Sequence, residues 1–164
     1  MSAKTEERRA QLWFRVAEAD YVLPLRDVTE VAAAGTLYMI PLVDRRVAGI
    51  LNNRGEPLPV VDGGAVLHGE VSESTRHALV FERRDLRLGV LVDYAVRIEQ
   101  GLDHFAFEEP DPDLEPNDGC FEQRVTRDGK VIGIVDVDDF LSRAAHLLVG
   151  SSSMRRDELC PSEF

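Results

Sequence analysis

Apolar and polar residues alternate along most of this chain, and turn-forming residues interrupt the alternation about every ten positions. Side chains on a strand point to opposite faces in turn, so a chain written this way folds into many short, half-buried strands. Residues 12–16 are a strand candidate, Glu18-Ala19-Asp20 its turn, and residues 21–25 alternate back. Residues 27–31 continue extended or make a single helical turn first. Pro41 interrupts the next apolar stretch, and residues 47–51 resume it. Further along, residues 78–82, a turn at Arg83-Arg84-Asp85, residues 86–93 and residues 95–99 repeat the pattern. Residues 121–126 and 131–137 flank Asp128-Gly129, a strong two-residue hairpin signal. Many short strands of this kind predict an all-β fold of small barrels. No repeat at a fixed period points to a solenoid or propeller.

The only convincing helix closes the chain. Asp136 or Asp138 can cap it, and Phe140, Leu141, Ala144, Leu147 and Leu148 fall on one face. After Gly150 a serine run opens a polar tail, residues 149–164, expected to be mobile, as are residues 1–10. Residues 108–119 are rich in proline and carboxylates and predict a long solvated loop.

One segment combines turn chemistry with polar display. Ile50 and Leu51 lead into Asn52-Asn53-Arg54-Gly55, and Leu58, Val60 and Val61 lead away. Gly55 supplies the backbone freedom for a reversal, and Asn52, Asn53 and Arg54 are expected to stand outside the apolar core. Read blandly this is a solvated hairpin tip; read sharply it is a surface built to be touched.

Composition narrows the function. With 30 acidic against 19 basic residues the net charge is −11, a field that repels a phosphate backbone, so nucleic acid is not an expected partner. No apolar run approaches bilayer-spanning length, and residues 1–11 lack the apolar segment of a signal peptide. Direct membrane insertion and export are therefore not expected. Cys120 and Cys160 form no paired motif and read as free thiols in a reducing cytosol, which places the chain in the cytoplasm.

Chemistry is sparse. His68, His77, His104 and His146 are scattered without metal-ligand spacing, and no nucleophile elbow or phosphate-binding glycine loop is present. Neither a metal nor a cofactor is expected. Asp62, Asp93 and Asp136 end apolar runs; a small carboxylate-dependent hydrolase would need all three to converge on a cleft. Capping and strand termination explain them more simply, and the chain is not expected to be an enzyme.

Residues 49–62, Gly-Ile-Leu-Asn-Asn-Arg-Gly-Glu-Pro-Leu-Pro-Val-Val-Asp, resemble the signature of CheW-like domains. There an apolar strand runs into Asn-Leu-Arg-Gly and a strand ending Pro-Val-Val-Asp-Leu follows. Residues 21–25 with Val28, Glu30 and Val31, Ile40-Pro41, residues 88–93 and residues 129–136 resemble other family segments. The likeness covers residues 11–147. It implies two packed five-stranded SH3-like barrels with a C-terminal helix, the first strand contributing across their boundary. Barrel one would span about residues 20–75, barrel two about 76–137 and the helix 138–148. It also implies a non-enzymatic adaptor of bacterial chemosensory signalling. Its partners would be the regulatory domain of a CheA-type histidine kinase, docked on barrel one, and a chemoreceptor's cytoplasmic tip, in a groove between the barrels. Carried over by motif, Asn52, Asn53, Arg54 and Gly55 are the candidate contacts. Val28, Glu30 and Val31 follow as a contact edge, with Gly49 permitting close backbone approach.

The chain departs from the family around the signature itself. Asn53 stands where Leu is usual, Pro57 replaces a β-branched residue and deletes a ladder donor, and Gly63-Gly64 are expected to loosen the strand's exit. These departures carry an alternative: a divergent CheW-like scaffold serving a different assembly, such as one controlling surface motility.

Overall fold

The computed structural model describes residues 10–41, 43–72, 77–99, 121–127 and 129–157. The acidic stretch 108–119, Cys120, Cys160, His104, Asp128, residues 1–9 and the final seven residues 158–164 lie outside the described residues. Eleven strands are described: β1 (Gln11–Val16), β2 (Ala19–Pro24), β3 (Glu30–Ala33), β4 (Leu37–Tyr38), β5 (Val47–Asn53), β6 (Glu56–Asp62), β7 (His77–Arg83), β8 (Leu86–Val92), β9 (Tyr94–Glu99), β10 (Phe121–Arg127) and β11 (Lys130–Val135). A 3-10 turn, Leu25–Asp27, follows β2, and two helices, α1 (Gly63–His68) and α2 (Val137–Asp157), follow β6 and β11.

The strands form two sheets that make barrel-like halves. One is five-stranded, ordered β10-β11-β2-β1-β9; the other is six-stranded, ordered β3-β7-β8-β6-β5-β4. The expected pair of five-stranded barrels is therefore a five and a six, and the expected boundary at residues 75/76 does not separate them. β7 and β8 join the half that carries the signature, while β1 and β2 join the half built by the end of the chain. Two parallel pairings decide this: β6 with β8 (Val60↔Gly89 to Asp62↔Leu91) and β11 with β2 (Ile132↔Asp20 to Ile134↔Val22). A Cβ at Gly89 would lie 2.6 Å from a Val60 methyl, so the glycine lets β6 and β8 close on each other.

One apolar core serves both halves. Phe14, Tyr21 and Leu23 from the five-stranded sheet meet Val61, Phe81 and Val90 from the six-stranded sheet. Helix α2 closes it with Phe140, Leu141 and Ala144, the face its sequence predicts, and Phe81 meets Phe140 edge-on at 5.8 Å between ring centroids. Phe14, Phe81 and Phe140 are fully buried, each contributing about 1.5–3 kcal/mol of transfer free energy. The cap of α2 is Asp136: its Oδ1 accepts the Asp139 amide at 3.1 Å. The helix runs to Asp157 rather than stopping at 148, so residues 149–157 extend it instead of opening the tail. Gly150 within it is tolerated at about 1 kcal/mol.

Helix α1 is the element that sequence patterning did not predict. Asp62 caps it, Gly69 ends it in the left-handed region, and Gly63-Gly64 are its buried first turn. A Cβ at Gly63 would stand 2.2 Å from the Leu91 carbonyl oxygen. The glycine pair, expected to loosen the exit of β6, instead seats a helix against β8.

Candidate functional site

β5 and β6 pair antiparallel to Asn53↔Glu56, leaving Arg54 and Gly55 as a two-residue turn. Both have positive φ, 55° and 86°, the signature of a type I′ turn whose twist matches its strands. The Asn52 side-chain oxygen accepts the Gly55 amide at 2.9 Å and braces the reversal. Arg54 is 79% exposed, and its guanidinium donates to Glu30 Oε1 at 3.1 Å. Glu30 opens β3, the far edge of the same sheet, so the pair joins the turn to a strand that is not its neighbour. Arg87 of β8 meets Glu56 at 3.0 Å beside it. A planar donor fork on a rigid, solvent-facing turn suits a carboxylate or carbonyl partner.

The structure thus brings Asn52, Arg54, Gly55 and Glu30 together, with Val31 exposed next to Glu30 on the edge strand. Asn53 is not displayed. It is 6% exposed, because the alternation that buries Val47, Gly49 and Leu51 continues to Asn53. Its expected place outside the core is corrected by period two alone. Val28 is half-buried against the shared core. Gly49 is buried at φ 136°, where a Cβ would stand 2.6 Å from the Tyr38 carbonyl. The close approach it permits is that of β4.

Two features carried no sequence signal. Tyr38 and Met39 are strongly exposed apolar residues at the two-residue edge strand β4, too short to show a period. The second is a cleft of about 380 Å³ between the halves, lined by Val22, Pro24 and Ile134 and by Asp27, Arg83 and Asp138 among others. Because β2 and β11 run parallel, the turn after one and the helix after the other leave side by side, and Arg83 reaches them from the other half.

The three aspartates of the hydrolase reading do not assemble. Asp62 Oδ1 accepts the Ala65 and Ser72 amides at 2.9 and 2.8 Å. Ser72 Oγ donates to Asp93 Oδ1 at 3.3 Å, and the Ala17 amide donates to Asp93 Oδ2 at 2.8 Å. Burial pushes the Asp62 carboxyl up, against three backbone amides that lower it, and the Asp93 charge pushes the same way as burial. Asp136 stands apart, in the cleft wall, as a helix cap. Among the described residues no group of three His, Cys, Asp or Glu could hold a metal ion, and no helix is long and apolar enough to cross a membrane.

Two β halves on one core, open strand edges and a displayed arginine turn define a docking module, the class of scaffolds that bind through edges and grooves. The chain belongs to the CheW-like domain family, whose sequence model matches residues 11–145. It is 32% identical over 119 residues to Protein PilI of Pseudomonas aeruginosa, a match covering 67% of this chain and 65% of that one. It is 28% identical over 141 residues to the chemotaxis protein CheW of Rhizobium meliloti, covering 82% of this chain and 88% of that one. The crystal structure of the scaffolding protein TtCheW from Thermoanaerobacter tengcongensis superposes with a TM-score of 0.62 at 25% identity, covering 78% of this chain and 84% of that one. Members of this family are scaffolds rather than enzymes.

Proposed function

We propose that this chain is a non-enzymatic adaptor that couples chemoreceptors to a CheA-type histidine kinase in the cytoplasm, associated with the membrane only through receptor arrays. The kinase's regulatory domain docks at the signature turn through Asn52, Arg54 and Gly55, with Glu30 and Val31 continuing the contact along the β3 edge. The receptor tip lies in the cleft between the halves. The observation that carries this reading is Arg54, 79% exposed on a type I′ turn and already matched to a carboxylate, Glu30, that a partner's carboxylate can replace. The family relatives named CheW support it.

The test is recovery of partners from native lysate by wild type and by Arg54→Ala. We expect wild type to retain a CheA-type kinase and a receptor, and the variant to lose at least tenfold of the kinase, about 1.4 kcal/mol, with its melting curve intact. An undiminished kinase complex removes Arg54 from the contact. A second reading, a CheW-like scaffold of a different assembly, is favoured by Asn53 and Pro57 at the signature and by the likeness to PilI. Recovery of other partners with no kinase selects it.

A further inference from the structure

Arg83 closes β7, in the six-stranded half, and makes two ion pairs to segments outside its own sheet. One guanidinium nitrogen donates to Asp27 Oδ1 at 3.2 Å, and the other bonds Asp138 Oδ1. Asp27 ends the 3-10 turn after β2; Asp138 sits in the first turn of α2. The three residues are 56 and 55 positions apart in sequence, and all line the cleft. Each walled segment comes from a different part of the fold, and one cation spans them. The remaining charges of the cleft are Arg26, 4.0 Å from Asp27, and Asp136, whose Oδ1 is occupied by the Asp139 amide.

We propose that Arg83 is a positioning residue for the cleft, a strut that holds the 3-10 turn, the start of α2 and the six-stranded half at a fixed spacing and thereby sets affinity for the receptor tip. The proposal rests on the receptor reading of the cleft given above. Without Arg83, Asp138 loses its cation and Asp27 keeps only Arg26, at 4.0 Å, with Asp136 nearby. The 3-10 turn and the first turn of α2 are then no longer tied to the end of β7, and the cleft they wall loses its fixed width.

The experiment compares wild type, Arg83→Met and Arg83→Lys in the full chain. Titration uses the cytoplasmic fragment of a receptor from the same organism, with the kinase regulatory-domain fragment as control. The strut predicts that Arg83→Met weakens receptor binding about fivefold near 50 mM salt and less near 500 mM, as expected for a partly exposed pair. Arg83→Lys recovers part of the loss, and kinase binding stays unchanged; a merely structural defect would weaken both. Hydrogen exchange at the Val28 and Phe140 amides, which bond the Leu25 and Asp136 carbonyls, should quicken in Arg83→Met without a change elsewhere. Unchanged receptor affinity, or unchanged exchange at both amides, overturns the strut. If wild type itself binds no receptor fragment, the receptor reading fails and the affinity role falls with it, while exchange still decides whether Arg83 braces the walls.

Discussion

The signature turn and the junction under α1 both place polar residues between apolar strands, and solvent treats them oppositely. At the turn, Arg54 stands 79% exposed with one ion pair. At the junction, Asp62 and Asp93 are 2% and 7% exposed, and backbone amides of Ala65, Ser72 and Ala17 satisfy them. The Asp93 amide also donates to the Arg15 carbonyl at 2.9 Å, so this junction ties the end of the six-stranded half to the first hairpin of the other. An exposed pair is worth at most about 1 kcal/mol and is free to exchange partners. A buried carboxylate left without its donors is far more costly. The turn is therefore free for binding, and the junction belongs to the framework.

The largest effect should come from Gly63→Ala at the junction. Its Cβ would meet the Leu91 carbonyl oxygen, a backbone atom that cannot step aside. A loss of about 3 kcal/mol and a fall in melting temperature of about 10 °C are expected by calorimetry. An unchanged transition would show that α1 is not tightly seated, and the contrast between the two regions would weaken.

Asp62→Asn sharpens the comparison through pH. The folded carboxyl sits above its unfolded value, mainly through burial. As pH rises from about 3.9 through the folded pKa, the unfolded chain releases its proton first, so stability falls and stays lower at neutral pH. Asparagine keeps the side-chain oxygen that accepts the two amides and cannot ionise. Denaturant titrations across that range should show the variant gaining on wild type as pH rises; parallel profiles would mean that burial does not raise this group.

Smaller changes are expected at the turn. Arg54→Gly relieves a left-handed backbone worth about 1 kcal/mol and forfeits an exposed pair of similar size. Its melting temperature should stay within a few degrees while kinase recovery is lost, and a large destabilisation would make the turn framework too. Smallest is Pro57→Val. Pro57 is exposed, and the pairing of β6 with β8 begins only at Val60. A change within about 0.5 kcal/mol is expected in urea unfolding; a larger loss would show that the proline is required.

Much of the secondary structure was legible in the sequence. The Asp128-Gly129 signal marks a hairpin whose flanking pair, Arg127↔Lys130, the structure forms, with Gly129 at φ 74°. The apolar face of α2 and the reversal at Gly55 were equally readable, since each depends on neighbours a few positions away. Helix α1 was not, because Gly63-Gly64 have poor helix propensity and make sense only against the Leu91 and Glu70 carbonyls that they approach. The burial of Asn53 was within reach: the same alternation that marks Leu51 marks Asn53, although its amide side chain favours exposure. Glu30 and Arg54 were each chosen by motif, but nothing in their spacing shows that they touch.

By itself the sequence determined the period of its strands, the places where they reverse, the face of its last helix and the family to which it belongs. The first three are consequences of backbone sterics and side-chain alternation, which act over about ten residues, and the family follows from the motifs instead. Only the tertiary structure decided which strands share a sheet, that Arg54 meets Glu30, that Asp62 and Asp93 share Ser72, and that Arg83 spans a cleft between the halves. Apart from Asp62 and Ser72, which are ten positions apart, the side-chain contacts named here join residues 21 to 56 positions apart and the pairing of β11 with β2 more than 100, and it is burial of one shared core, rather than any local preference, that brings them together.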